Sequence, residues 1–293
     1  MHTTELDRAA EPADVSRRDF VRAAVGTGFA SAVLPVTAQT IKTDSAGLTV
    51  GEVTVMVGDF KMPAYRAQPA GKTAADKLPV VLVVSEIFGV HEHIADVVRR
   101  FAKLGYLAIA PELFVRQGDA QAYGEIDKLM SEVVLKVPDA QVMSDLDACV
   151  AWARANGGDT SRLAITGFCW GGRMTWLYAA HNAAVKAGVA WYGRLQGEPT
   201  ALKPTNPIDV VDQLKAPVLG LYGQEDTGIP VATIEATKAA LAASPNPAAK
   251  KSAFVVYPGA GHAFNADYRP SYQREAAEDG WKRCLAWFKA NGV

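Results

Sequence analysis

From about Leu48 onward the chain alternates between two hydrophobic periods. The stretch LTVGEVTVMV alternates apolar and polar residues as a hairpin strand does. LPVVLVVSE runs apolar without a break, the pattern of a strand covered on both faces. HIADVVRRFAKLG then returns at helical spacing, with Ile94, Val97, Val98, Phe101 and Leu104 on one face and Gly105 as its stop. YLAIAPEL reads as the next strand. After a polar segment, AQVMSDLDACVAWARANGG repeats the helical pattern through Val142, Leu146, Cys149 and Ala153. RLAITGF, AGVAWYG, APVLGLYG and KSAFVVYPG are further strands, with one helix opening at the glycines beyond residue 169 and another near 231–243. A last helix puts Trp281, Leu285 and Phe288 on its buried side. AASPNPAAKK at 242–251 reads as a surface loop. This alternation predicts an α/β fold: a mostly parallel sheet flanked by helices on both faces, in one domain over 39–293.

Composition narrows the possible partners. The 293 residues are 49% hydrophobic with a formal net charge of −1, so no field gathers nucleic acid or an anionic membrane. The expected partner is a small molecule; oligomeric state is not legible. Cys149, Cys169 and Cys284 make an odd count, which suggests no disulfide framework. Cys149 and Cys284 lie on apolar helix faces and read as core.

Cys169 stands apart. RLAIT runs directly into Gly167-Phe168-Cys169-Trp170-Gly171 and then into a helix. That is the strand–turn–helix setting of a nucleophile elbow, G-x-S-x-G, with sulfur in place of oxygen. The sharp turn needs glycines where a Cβ would clash, and the helix aims free N–H groups toward the sulfur, favouring thiolate. The alternative is a small apolar residue buried in a tight turn. A nucleophile also needs a base and a residue to orient that base, each past a strand end, in the order acid then histidine. APVLGLYGQED delivers Asp226, and KSAFVVYPGAGH delivers His262. Taken singly, Asp226 could be a helix cap and His262 a turn residue; their order and placement favour a triad.

From about residue 48 to the end the chain resembles the dienelactone hydrolases, on the stretches SEIFGVHEHI, APELFVRQG, GFCWGGR, YGQED and GAGHAF. The resemblance implies an α/β-hydrolase fold and an ester or lactone hydrolase with a Cys169–His262–Asp226 triad, a thioester acyl-enzyme, and no metal or cofactor. It implies that Glu86 contacts the resting thiol and takes its proton when substrate binds; the alternative is a carboxylate capping the helix that begins near His93. The oxyanion donors would be the backbone N–H groups of Ile87 and Trp170. Arg116 matches an arginine that binds a substrate carboxylate, the alternative being an ordinary exposed loop arginine. A second family arginine, four residues past the histidine, is Ala266 here, and Arg269 is the nearest candidate. Tyr192 is placed in the pocket wall or the core. The histidines of HEH at 91–93 read as a loop and helix start rather than metal ligands. A non-hydrolytic thiol enzyme on the same site, or an exported binding protein with a degenerate site, are the other readings.

Ahead of this domain, SRRDFVRAAVGTGFASAVLPVTA pairs Arg17 and Arg18 before a run of small apolar residues ending in Val36-Thr37-Ala38. It resembles a twin-arginine export signal covering 1–38, with Phe20 two places after the pair. The run is too short and too rich in glycine and alanine to stay as an anchor, so a cleaved signal and a periplasmic location are expected. The alternative is a disordered basic leader.

Overall fold

The computed structural model describes residues 40–293, so the expected leader lies outside the described residues. Eight strands form one sheet: β1 (Leu48–Val57), β2 (Phe60–Pro69), β3 (Leu78–Val84), β4 (Leu107–Pro111), β5 (Gly158–Phe168), β6 (Val185–Trp191), β7 (Val218–Gly223) and β8 (Ala253–Tyr257). Their spatial order is β1-β2-β4-β3-β5-β6-β7-β8. β1 and β2 form a hairpin about Gly58, β2 meets β4 antiparallel, and every pairing from β4 to β8 is parallel. The alternating β1 pattern therefore belongs to the half-exposed edge hairpin. The unbroken apolar runs belong to β3, β4, β6 and β7, which are buried along nearly their whole length.

Seven helices accompany the sheet among the described residues: α1 (Glu92–Lys103), α2 (Ile126–Glu132), α3 (Asp139–Ala155), α4 (Trp170–His181), α5 (Val231–Ala243), α6 (Pro247–Lys251) and α7 (Arg274–Ala290). α1 packs on β2 and β4 and meets α7 through Phe101, whose ring lies 4.6 Å from that of Trp281. α3 and α4 touch each other and cover β5. A buried fork joins these two: Arg173 of α4 holds Asp139 of α3 through two 2.7 Å hydrogen bonds. Val142, Leu146, Cys149 and Ala153 of α3 are all fully buried, as their spacing predicts. Cys149 and Cys284 are likewise sealed in the core, where burial pushes both thiols up, away from reactivity.

Three expectations change. Leu104 is half exposed rather than on the buried face, because α1 ends there and Gly105, at φ +97°, turns the chain away. The polar segment after β4 contains α2, a short helix that buries only Leu129. The expected loop at 242–251 holds α6. Asn246 caps α6 by accepting from the N–H of Ala248 at 2.9 Å, while its amide donates to the carbonyls of Asp212 and Leu214. Pro247 occupies the first helical turn, where its missing N–H costs nothing.

The sheet order reverses at one place. The chain leaves β3 for β4 on one side and returns to β5 on the other, so the carboxyl ends of β3 and β5 flank the switch point. In open α/β sheets that crevice is where ligands collect.

Candidate active site

In register, Val84 of β3 pairs with Gly167 of β5, Phe168 pairs with Trp191 of β6, and Gly223 of β7 pairs with Tyr257 of β8. Glu86 and Cys169 thus stand two residues beyond one level on either side of the switch point. Tyr192, Asp226 and His262 emerge from the same edge.

Cys169 occupies a turn that an L-residue seldom adopts, at φ +54° and ψ −113°. Its N–H is tied to the carbonyl of Trp191 at 3.0 Å and its carbonyl accepts from Gly172 at 3.0 Å, so the turn is fixed from both sides. The flanking glycines are required by contact. A Cβ on Gly167 would collide with the carbonyl of Gly171, and one on Gly171 would stand 2.6 Å from the carbonyl of Ser85. Four non-glycine residues among those described have positive φ, and three of them, Cys169, Tyr192 and Ala263 beside His262, lie at this edge. Each costs about 1–3 kcal/mol in isolation, and such strain concentrates at functional sites.

His262 and Asp226 meet directly. The ring donates from Nδ1 to Asp226 Oδ2 at 2.6 Å, and Asp226 Oδ1 accepts from the N–H of Gly228 at 2.9 Å. Asp226 is 3% exposed, whereas the ring of His262 is partly open. Burial opposes the imidazolium, but hydrogen bonds to Asp226 and to the Cys169 side chain outweigh it and push the histidine up to about 10. Cys169, His262 and Asp226 are therefore brought together in the expected order. The ring of Tyr192 stands edge-on to that of His262 at 5.1 Å, fully buried, and its Oη has no hydrogen-bond partner.

Glu86 is placed differently from the expectation. Its Oε2 accepts from His91 Nε2 at 3.2 Å, while Oε1, also buried, has no hydrogen-bond partner. It neither bonds the resting thiol nor caps a helix: α1 begins at Glu92 with His91 at its N-cap, which turns that ring back to the end of β3. Burial opposes ionisation of Glu86, yet the bond to His91 and the charges of His91 and His93 hold it at about 2. The main-chain N–H groups of Ile87 and Trp170 have no acceptor among the described residues, leaving both available as donors.

The two arginines part company. Arg116 forks onto Asp145 of α3 at 2.6 and 2.8 Å and lies over the ring of Phe60 at 4.0 Å. Its terminal nitrogens are committed to a buried carboxylate, so it ties the loop after β4 to α3 and the β1–β2 hairpin. The expectation that it grips a substrate is not carried further. Arg269 lies instead over Phe88 at 4.9 Å and Tyr268 at 5.5 Å, with Nε donating to Tyr268 Oη at 3.3 Å. Burial lowers its proton affinity, but Tyr268 and the fields of Glu86 and Tyr192 outweigh that and raise it.

Sequence reasoning missed the layer behind Glu86. HEH does start a helix, but both histidines are buried against the site. The rings of His91 and His93 stack at 6.0 Å, and each meets Tyr268. His93 Nδ1 donates to Asp267 Oδ1 at 3.2 Å, and Asp267 is held in turn by Arg100 at 2.6 Å. Two histidines flanking the first residue of a helix were the available signal; which way each ring points depended on where α1 starts.

Comparison with known proteins agrees with this geometry. The family model "Dienelactone hydrolase family" matches residues 62–292. A protein of Methylorubrum extorquens named "Putative carboxymethylenebutenolidase" is 61% identical over 291 residues, covering 99% of this chain and 98% of the relative. One of the same name from Escherichia coli K12 is 52% identical over 266 residues, covering 91% and 96%. The crystal structure of a dienelactone hydrolase, also designated putative, from Klebsiella pneumoniae superposes with a TM-score of 0.79 at 55% identity, over 83% of this chain and 98% of that one. With its α/β-hydrolase sheet and its elbow cysteine, the chain belongs to the dienelactone hydrolase family.

Proposed function

We propose that the protein hydrolyses an ester or lactone through a thioester acyl-enzyme, with Cys169 as nucleophile and His262 as base oriented by Asp226. The observation that carries this reading is the strained, glycine-flanked turn of Cys169 beside the His262–Asp226 pair. In acylation the sulfur adds to the substrate carbonyl, and the oxyanion takes the N–H groups of Ile87 and Trp170. Removing one such donor typically costs about 100–1000-fold in rate. Collapse expels the alkoxide or enolate, which takes a proton from His262, whose ring starts the cycle protonated. In deacylation His262 draws a proton from water, the hydroxide adds to the thioester, and Cys169 leaves as thiolate, which then takes back the proton held by Glu86.

Glu86 is the acceptor for the Cys169 proton. Its unpartnered Oε1 supports this, because a buried carboxylate oxygen lacking a donor is costly and gains by taking one. A thiol kept protonated until substrate arrives also resists oxidation outside the cytoplasm. Export by the twin-arginine route, on Arg17 and Arg18, belongs to the same proposal and would let the protein fold before it meets an oxidising compartment. Arg269, seated on two aromatic faces, suits a substrate bearing a carboxylate.

Purified protein screened over lactones and enol esters, each with and without a carboxylate, tests the reading. Hydrolysed acid as the product, with a preference for carboxylate-bearing substrates that Arg269→Met abolishes, is expected. A product other than the hydrolysed acid would contradict it.

A further inference from the structure

Glu86 leaves β3 with a buried side chain whose one side-chain donor is His91, with its own main-chain N–H as a further, weaker influence. Taking a carboxylate out of water is costly, so its orientation follows the donor left to it. That donor is rigid. His91 is itself buried; its N–H reaches the carbonyl of Gly89 at 3.1 Å and its carbonyl accepts from Ala95 at 3.0 Å, fixing it at the N-cap of α1. Its ring is clamped between His93 at 6.0 Å and Tyr268 at 5.2 Å, with the edge of Phe88 at 6.3 Å. We propose that His91 is a positioning residue: by donating to Oε2 it fixes the Glu86 carboxylate with Oε1 left open to accept the Cys169 proton. The inference rests on Glu86 being that acceptor.

The transfer balances without a further reactant. The S–H bond breaks, its electron pair stays on sulfur, and an O–H bond forms at Glu86 Oε1; His91 keeps its own proton and its bond to Oε2. The groups whose charges reach Glu86 are His91 and His93 from α1 and its cap, Tyr192 after β6, and Tyr268 with Arg269 ahead of α7. Tyr192 packs on the ring of His262 and Tyr268 on the ring of His91, and the fields of Glu86 and Cys169 both reach these two tyrosines. Burial favours the neutral acid, which cannot accept a proton, and the hydrogen bond from His91 is the main effect opposing it. Losing His91 would thus cost both the orientation and the ionised state.

Pre-steady-state acylation measured against pH with His91→Leu, His91→Gln, Glu86→Gln and the double variant Glu86→Gln/His91→Leu tests this, each variant checked by a thermal melt. His91→Leu is expected to slow acylation about 10–100-fold at pH 7, less than the roughly 100–10,000-fold of losing a general base outright, and to move the acid limb up by about one pH unit or more. His91→Gln, whose amide reaches the Nε2 position, should stay within about 3-fold of wild type. On the Glu86→Gln background the His91 change should add nothing, as for two residues acting in one step. His91→Asn, whose amide stops short of Glu86, replaces His91→Leu if the latter does not fold, with the same expected shift. Normal acylation by Glu86→Gln would overturn the role of Glu86 itself. A slow Glu86→Gln beside a His91→Leu with unchanged rate and acid limb would overturn the role of His91 alone.

Discussion

His262 Nδ1 donates to Asp226 Oδ2 at 2.6 Å, and the second oxygen of Asp226 is held by the N–H of Gly228, so the carboxylate cannot turn without losing a main-chain bond. The contact engages Nδ1 and so leaves Nε2 for the proton transfers of the proposed mechanism. Asp226→Asn keeps the shape but lets the amide donate to Nδ1, selecting the wrong tautomer. We expect kcat for a chromogenic ester to fall about 10^4-fold, the scale of this change in a serine triad, with the thermal melt nearly unchanged. A loss below tenfold would remove Asp226 from the orienting role.

The elevated His262 has a sign that can be checked. Its folded value, about 10, lies above the ordinary 6.5, so the protonated ring contributes stability that is fully present below about 6.5 and is lost as pH rises through about 10. The Cys169 side chain is one of the two partners that raise it. An NMR titration of the imidazole should therefore show a lower pKa in Cys169→Ala than in wild type. An unchanged value would separate the thiol from the histidine.

Glu112, just past β4, carries the opposite liability. Burial raises its carboxyl from 4.5 to about 7 although Oε1 accepts from the N–H of Val90 at 3.1 Å. The folded state holds this proton more tightly than the unfolded chain, so its contribution makes stability fall as pH rises from about 4.5 to about 7. Glu112→Gln keeps an acceptor for Val90 without a charge. Urea unfolding should find the variant more stable at pH 8, by on the order of 2–3 kcal/mol, and level with wild type at pH 4.5. Equal stability at both pH values would contradict a desolvated charge at Glu112.

Much of this site was legible because its constraints are local. An elbow demands glycines at fixed offsets from Cys169, and Asp226 and His262 each follow a recognisable strand, so three short stretches sufficed. The rest depends on tertiary direction. Arg116 looked free to bind substrate because Asp145, its partner, sits on a helix far along the chain. His91 read only as part of a loop and helix start, because its contact with Glu86 follows from where α1 begins. Asn246 and Pro247 form a cap and first turn, but the small and polar residues around them read as a loop and masked the short helix α6.

The export proposal has its own test. Replacing Arg17 and Arg18 by lysine should retain the precursor in the cytoplasm at its unprocessed mass, since that route reads the arginine pair itself. Processed protein recovered outside the cytoplasm from the double variant would contradict it.

The nucleophile is the centre of the account, and intact-protein mass spectrometry after rapid quench with a slowly deacylating ester tests it most directly. The expected result is one acyl group per chain, mapped by peptide digestion to Cys169 and absent from a folded Cys169→Ala that no longer turns over. An acyl group on another residue, or ester hydrolysis persisting in Cys169→Ala, would contradict it.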